Sequence, residues 1–253
     1  MVDIFQGQMR NTMVCRNYKK KEEHGLNGCG YRNVMFEPFM YLSLPIVDDC
    51  NSLDDCLDMY CKIEKLTGDN MWYCPKCKEH VTATKEYSIW ILPPILIIHL
   101  KRFKYNTVGC HTKIDKVVEY KLRNWDLSKN IKSTGKISKY DLYATINHHG
   151  ILGSGHYIAH AKNRFSDDWY KFNDSICSIV NESNIRNMNS AYCLFYNRVE
   201  KDDIGTKRKK IPEVKRQSLT RPELWPHTQV TTSFREFNRK STRKILEENT
   251  EEK

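Results

Sequence analysis

Two residue types that support nucleophilic catalysis lie on neighbouring predicted strands. The segments Gly155–Ala161 and Trp169–Asn173 alternate in polarity, and the polar stretch between them can turn. Pairing the strands about the midpoint of that turn places His156 opposite Asn173, and it places His160 opposite Trp169. An amide oxygen there accepts a hydrogen bond from the imidazole and fixes its tautomer, an arrangement of base and orienter that suits a cysteine nucleophile. Spacing alone also fits an ordinary polar pair in a hairpin.

A loop with little side-chain bulk precedes this histidine. Gly150 and Gly155 would let a substrate backbone approach His156 closely. His148 and His149 flank the loop, so contact with substrate and simple solvation are both open for them. Asp174 follows Asn173 and would point to the opposite face of a regular strand.

A second group of residues has the spacing of metal ligands. Cys74 and Cys77 form a Cys-x-x-Cys knuckle, which lets two thiolates reach one tetrahedral ion. Cys15 and Cys29 are candidates for the other two ligands, with His24 as a substitute for either. Their fourteen-position separation requires the basic loop between them to bulge out. The pattern predicts structural zinc, and the alternative is a hairpin tip that binds no metal.

Composition limits the class of protein. The chain has 253 residues, of which 40% are hydrophobic and 28% charged, as in a globular protein. Its longest apolar stretch is broken by Pro93 and Pro94 and is too short for a membrane span. No basic segment followed by an apolar run opens the chain, so we expect no secretory signal, a reducing compartment and a cytoplasmic or nuclear location.

The charge does not demand a nucleic-acid partner. The net charge is +10, but 14 of the 41 basic residues lie after residue 199, together with 10 of the 31 acidic ones. Residues 200–253 are predicted to be a mostly disordered basic tail with a short helix over 233–248. The run Lys207–Lys210 could be a nuclear localisation signal or a contact for an acidic surface, although solvated charge in a disordered tail is the favoured interpretation.

The elements that position these residues are mainly strands. Short apolar runs with β-branched enrichment predict strands over 39–44, 89–92, 95–98, 142–146, 157–161, 169–172 and 191–196. One helix is predicted after Ser52, an N-cap residue, with Asp54 and Asp55 in its first turn and apolar positions continuing to Ile63. The fold class is therefore α+β.

Several ordered blocks resemble the ubiquitin-specific proteases, which are papain-like cysteine deubiquitinases. These blocks are Phe36–Pro45, Leu92–Phe103, Asn147–Gly150, Gly155–Tyr157, Trp169–Asp174 and Ala191–Tyr196. The resemblance covers about residues 3–199, which would form fingers over about 1–90 and a palm over about 91–199.

The resemblance implies a role for each matching residue. His156 would be the catalytic base, Asn173 the third triad member and Asp174 a neighbouring polar contributor. The loop residues His148, His149, Gly150, Gly155 and Tyr157 would contact substrate, and the partners would be ubiquitin and ubiquitinated proteins. Cys15, Cys29, Cys74 and Cys77 match the four zinc positions of the fingers.

The same resemblance raises an expectation about the nucleophile. In the family it lies in a Gly-Asn-Thr-Cys-like box at the start of a helix, within a thumb subdomain that precedes the fingers and packs on the palm sheet. This chain contains no such box, so we expect the thumb and nucleophile to be absent from it and an apolar sheet face to be exposed. Three hypotheses follow: part of a deubiquitinating protease, an inactive ubiquitin-binding module, or a zinc-stabilised scaffold unrelated to ubiquitin.

Overall fold

The computed structural model describes residues 2–17, 29–105, 111–133 and 138–199. The helices are α1 (Val2–Phe5) and α2 (Leu53–Tyr60). The strands are β1 (Gly7–Cys15), β2 (Arg32–Phe39), β3 (Leu42–Pro45), β4 (Glu64–Leu66), β5 (Trp72–Cys74), β6 (Glu79–Val81), β7 (Ala83–Ile91), β8 (Ile95–Lys101), β9 (Phe103–Tyr105), β10 (His111–Lys113), β11 (Trp125–Asp126), β12 (Lys139–Ile151), β13 (Ser154–Lys162), β14 (Trp169–Asn173), β15 (Ile176–Val180) and β16 (Ala191–Arg198). The predictions of a disordered tail, a helix over 233–248 and a localisation signal lie outside the described residues, as do Cys110 and His24.

An eight-stranded sheet dominates the second half of the described chain. Its order is β15-β14-β13-β12-β16-β8-β3, and β11 pairs with β12. Every pair is antiparallel except β3 with β8. The sheet and the few helices confirm the α+β prediction.

The two faces of this sheet differ in burial. One face is buried over the central strands β8, β12 and β16 and supplies much of the core, including Leu96, Ile98, Leu100, Leu194 and Tyr196. The alternate positions form the other face, where apolar side chains are only half-buried or exposed: Ile97, Tyr157, Phe172, Ile179 and Phe195. A two-residue period with one face buried fixes the register of each strand, because a one-residue slip would move core residues into water.

A smaller sheet is built from the first ninety residues. Its order is β2-β1-β7-β4, all antiparallel. The β5–β6 hairpin lies beyond β4 in the chain and carries the Cys-x-x-Cys knuckle at its turn. Strand β3 also comes from this part of the chain but pairs with β8 of the large sheet.

Helix α2 begins where the sequence predicts. The Ser52 hydroxyl accepts a hydrogen bond from the Asp55 N–H, and the Asp55 carboxylate accepts one from the Ser52 N–H, which completes a capping box. Leu53, Cys56 and Leu57 are buried against the large sheet's core. The predicted extension to Ile63 is wrong, since the helix ends at Tyr60 and Ile63 is 57% exposed.

We expect Ser52→Ala to lower the free energy of unfolding by about 1 kcal/mol, because the Asp55 N–H in the first turn of α2 loses the hydroxyl that accepts its hydrogen bond. Urea denaturation measures the change. Ser178→Ala, in the exposed strand β15, is the control and should stay within about 0.5 kcal/mol of the parent. Equal stability of the two variants would show that the capping box does not stabilise the helix.

Candidate functional site

A tight hairpin presents the predicted histidines. Strands β12 and β13 pair so that His149 lies opposite His156 and Gly150 lies opposite Gly155. The two-residue turn that joins the strands contains Gly153, which has a φ of +83°, and Gly150 has a φ of +109°. Both values lie in the left-handed region that side chains with a Cβ rarely adopt, so glycine is required at both positions.

The predicted register between β13 and β14 is wrong by two residues. His160 lies opposite Lys171, where the sequence placed Trp169, and Lys162 lies opposite Trp169. A shift of two residues keeps each side chain on the same face of the sheet, so His156 and Asn173 still share a face. They therefore meet along the diagonal between the strands and not directly across.

His156 and Asn173 are hydrogen-bonded as the sequence predicts. The contact joins His156 Nε2 to Asn173 Oδ1. Because a carboxamide oxygen only accepts, the neutral imidazole must carry its proton on Nε2 and leaves Nδ1 with a free lone pair. The His156 side chain is 48% exposed, so Nδ1 can be reached by a reacting group.

Asp174 does not follow the strand, contrary to the prediction that it points to the opposite face. It has a φ of +50° and belongs to the turn between β14 and β15. This conformation brings its carboxylate Oδ2 to 3.9 Å from His156 Nε2. Asp174 therefore lies beside the imidazole of His156, on the side of Nε2.

His148 is buried and not a solvated loop residue. Only 4% of it is exposed, and its Nδ1 has no hydrogen-bond partner within the described chain. A Cβ added to Gly155 would lie 2.3 Å from His148 Nε2, so the glycine makes room for this ring. The backbone of His148 is held as well, because Lys113 Nζ donates to its carbonyl oxygen at 2.8 Å.

Aromatic rings surround His148 on the half-exposed face of the sheet. The centroids of Tyr157, Phe103 and Tyr192 lie 4.7, 5.4 and 6.2 Å from that of His148. Tyr157 was predicted to be near the site, but roles for Phe103, Tyr192 and Lys113 were not. Phe103 and Tyr192 belong to the sequence blocks that carry the resemblance, which was the available signal; nothing in the sequence marked Lys113.

His149 and His160 lie on the same face as His156. Desolvation lowers the pKa of His149, and the charges of Lys113 and Lys171 and the nearby His156 add to this effect. His160 is buried, and its Nδ1 is 2.9 Å from the side-chain amide nitrogen of Asn147, as expected for sheet packing. His99 is partly buried on the other face of the sheet: its Nδ1 is 2.7 Å from Ser43 Oγ, and burial lowers its pKa to about 4.

The four predicted metal ligands come together in a separate place. The sulfurs of Cys15, Cys29, Cys74 and Cys77 all lie within 4.8 Å of one another, and all four residues are buried. The Cys15–Cys77 and Cys29–Cys74 distances are 3.9 and 3.8 Å, far beyond a disulfide bond of about 2.05 Å. A tetrahedral ion with metal–sulfur bonds of about 2.3 Å separates its sulfurs by about 3.8 Å. The cluster therefore fits a metal ion.

The other described cysteines have no such role. Burial raises the pKa of Cys56 and Cys193 to about 12 and that of Cys61 to about 11, so these thiols stay protonated near neutral pH. Cys193 pairs with Ile146, whose side chain alternates to the face opposite that of His149 and His156. Cys177 is exposed on β15 and pairs with Phe172, also on the opposite face. Within the described residues, the contacts found for the His156 ring are those with Asn173 and Asp174.

Comparison with known proteins decides the family. The family model described as "Ubiquitin carboxyl-terminal hydrolase" matches residues 1–196. The chain belongs to the ubiquitin carboxyl-terminal hydrolase family. This confirms the resemblance to ubiquitin-specific proteases, and it places His156, Asn173 and the cysteine cluster within the matched region.

Relatives and solved structures agree with this membership. Ubiquitin carboxyl-terminal hydrolase 10 of Arabidopsis thaliana is 48% identical over 152 residues, which are 60% of this chain and 16% of the relative. Ubiquitin carboxyl-terminal hydrolase 4 of Mus musculus is 43% identical over 148 residues, which are 58% of this chain and 15% of the relative. The chain thus matches about a sixth of the length of these relatives.

Solved complexes of the family share the fold. A SAGA DUB module of Ubp8, Sgf11, Sus1 and Sgf73 bound to monoubiquitin contains a chain with a TM-score of 0.66 and 29% identity, covering 78% of this chain and 41% of that one. The same module bound to ubiquitin aldehyde gives a TM-score of 0.65 at 28% identity and covers 78% and 42%. Among the described residues of this chain, no helix is long and apolar enough to span a membrane.

We expect Gly155→Ala to destabilise the hairpin, because the added Cβ would meet His148 Nε2 and the His149 carbonyl oxygen at 2.3 and 2.5 Å. Such overpacking lowers the free energy of unfolding by about 1–3 kcal/mol. Chemical denaturation, with the His148 ring resonances as a local probe, measures the effect. Ser154→Ala, one residue earlier, is the control. Parental stability and unmoved His148 resonances in Gly155→Ala would contradict this account of the glycine.

Proposed function

We propose that this chain is the part of a deubiquitinating cysteine protease that carries the general base and grips ubiquitin. The observation that carries the proposal is the hydrogen bond between His156 and Asn173. It orients an exposed imidazole with Nδ1 free, inside a region that matches the ubiquitin carboxyl-terminal hydrolase model.

In this role His156 acts first as a base and then as an acid. Nδ1 takes the proton of a cysteine thiol, the thiolate attacks the carbonyl carbon at the ubiquitin C-terminus, and the resulting imidazolium returns the proton to the departing amine. Asn173 keeps the ring oriented through Nε2, and Asp174 at 3.9 Å stabilises the imidazolium. The attacking thiol is proposed to belong to a segment outside the described residues, because the described contacts of the His156 ring are with Asn173 and Asp174 and include no cysteine.

The surroundings of His156 suit an extended substrate tail. Gly150 and Gly155 leave the backbone of the hairpin uncovered, and Tyr157 is 51% exposed beside them. Tyr192 and Phe103 continue this aromatic wall. Proposed contacts of the ubiquitin tail on the His156 face are therefore the backbone of the glycine pair and the exposed His149. Tyr157, packed on His148, is proposed to contact the tail from the other face at the open end of the hairpin.

We further propose that the cysteine cluster holds a structural zinc ion. Cys15 ends β1, Cys29 precedes β2, and Cys74 and Cys77 belong to the β5–β6 hairpin, so one ion would tie three chain segments together. A cluster of four buried thiols that binds no cation and forms no disulfide is less favourable than a metal site. Thiolate ligands in tetrahedral geometry select zinc. The ion would supply stability and take no part in hydrolysis.

The catalytic proposal is tested in a chimera in which a relative supplies the nucleophilic cysteine. Residues 1–199 replace the corresponding region of the Arabidopsis thaliana relative, to which this chain is 48% identical over 152 residues. We expect the chimera to hydrolyse a fluorogenic ubiquitin C-terminal amide. His156→Ala should lose about 10²–10⁴-fold in kcat because the base is gone, and Asn173→Ala about 10²-fold because the ring loses its orientation.

Controls separate a catalytic loss from a folding defect. Cys177→Ser should leave the rate unchanged, and thermal unfolding should be the same for all variants. The isolated chain should bind ubiquitin reversibly without reacting with a ubiquitin probe that bears a thiol-reactive C-terminus. Full activity of the His156→Ala chimera would refute the assignment. Ubiquitin binding by an inactive but folded chimera would favour a binding module instead.

Metal analysis tests the zinc proposal directly. We expect about one zinc per chain in purified protein, and both a chelator and Cys74→Ser should lower the midpoint of thermal unfolding because the ion stabilises the folded state. Cys177→Ser, which removes an exposed thiol, should retain the metal. A zinc-to-protein ratio near zero in protein purified without chelator would rule the site out.

A further inference from the structure

The β12–β13 hairpin places two imidazoles side by side. His149 and His156 are directly opposite residues of an antiparallel pair, so their side chains project from the same face with Cβ atoms about 5 Å apart. Both residues are exposed. Within the described part of the chain, the His149 ring has no hydrogen-bond partner, so both of its nitrogens are accessible.

The hydrogen bond to Asn173 prepares His156 as a metal ligand. Histidines that bind metal usually donate their other ring N–H to an oxygen acceptor, which fixes the tautomer and the ring orientation. Asn173 Oδ1 provides this acceptor at Nε2, and Nδ1 is left unprotonated. The feature that suits His156 to act as a base therefore also suits it to bind a cation.

His149 is equally suited to bind a cation. Desolvation and the neighbouring Lys113 and Lys171 lower its pKa, which keeps the ring neutral and its lone pair available at neutral pH. These lysines also oppose an incoming cation. Their effect is moderated because Lys113 is paired with Asp115 at 3.5 Å, and Asp174 lies 3.9 Å from His156 Nε2.

We propose that His149 and His156 form a second metal site, distinct from the cysteine cluster, that binds a zinc ion through one ring nitrogen of each. Two zinc–nitrogen bonds of about 2.1 Å require the nitrogens to lie about 3.4 Å apart, which opposite residues of a β-ladder can reach by side-chain rotation. Water completes the coordination. The ion occupies His156 Nδ1, the nitrogen that the proposed base uses, so zinc at this site is an inhibitor of the proposed hydrolysis.

The test adds zinc to protein whose cysteine cluster is already filled. Calorimetric titration with Zn²⁺ in a non-chelating buffer should detect one further equivalent with a dissociation constant in the micromolar range. Nitrogen-15 spectra of the histidine rings should show a coordination shift at His156 Nδ1. His149→Asn should weaken this second binding by at least about tenfold, and Asn173→Ala by about 10–100-fold, because the outer hydrogen bond is lost.

Two controls make the result specific. Cys177→Ser removes the exposed thiol nearest in sequence and should leave the second binding unchanged. The metal-free stability of His149→Asn should match that of the parent, since the side chain is exposed. Absence of a second equivalent, an unchanged dissociation constant in His149→Asn, or loss of binding in Cys177→Ser would each overturn the proposal. The measurement needs no hydrolysis, so it can fail or succeed independently of the proposed protease function.

Discussion

The hydrogen bond between His156 and Asn173 is the contact on which the functional argument depends. It requires β13 and β14 to place two side chains on one face of the large sheet at the end where the turns lie. Ile158, His160 and Trp169, which are buried on the same face of these two strands, and the pairing with β12 hold that geometry. A rigid sheet therefore turns an ordinary imidazole into an oriented one with a single free nitrogen.

The hairpin that carries His156 is shaped by what lies beneath it. His148 packs against Gly155, and Lys113 holds the His148 carbonyl from a neighbouring segment. Arg102, fully buried, donates from Nε to Ala191 O at 2.5 Å and from Nη1 to Ile114 O and Lys116 O at 2.9 and 2.8 Å. Arg102 thereby joins strand β16 to the segment after β10. Hydrogen bonds from buried side chains to backbone carbonyl oxygens thus hold the segments next to the hairpin in place.

The cysteine cluster and the β12–β13 hairpin lie in separate sheets whose cores differ in extent. The small sheet has few buried apolar residues around its distal end, where Val81 with Tyr31 and Trp72 accompanies the four cysteines. A metal ion at the four cysteines would join segments distant in sequence and so stabilise a region with a small core. The large sheet is stabilised by an extensive core, and its end with His149 and His156 is exposed. Its second face, with Tyr157 and Phe172, is only partly covered within the described residues.

The sequence alone determined the fold class, the cap of α2, the four cysteines and the pairing of His156 with Asn173, because these depend on residue type and on a two-residue period. It did not determine the β13–β14 register, since pairing about the midpoint of a turn ignores how the turn residues themselves bond: the Asn163 N–H donates to Asp168 O. Only the tertiary structure showed Asp174 turning back toward the imidazole through a positive φ, or His148 buried under Gly155. The local sequence pattern specifies which face a strand residue occupies. Contacts between strands, and hydrogen bonds from lysine and arginine side chains distant in sequence, decide where along that face His156 and its neighbours meet.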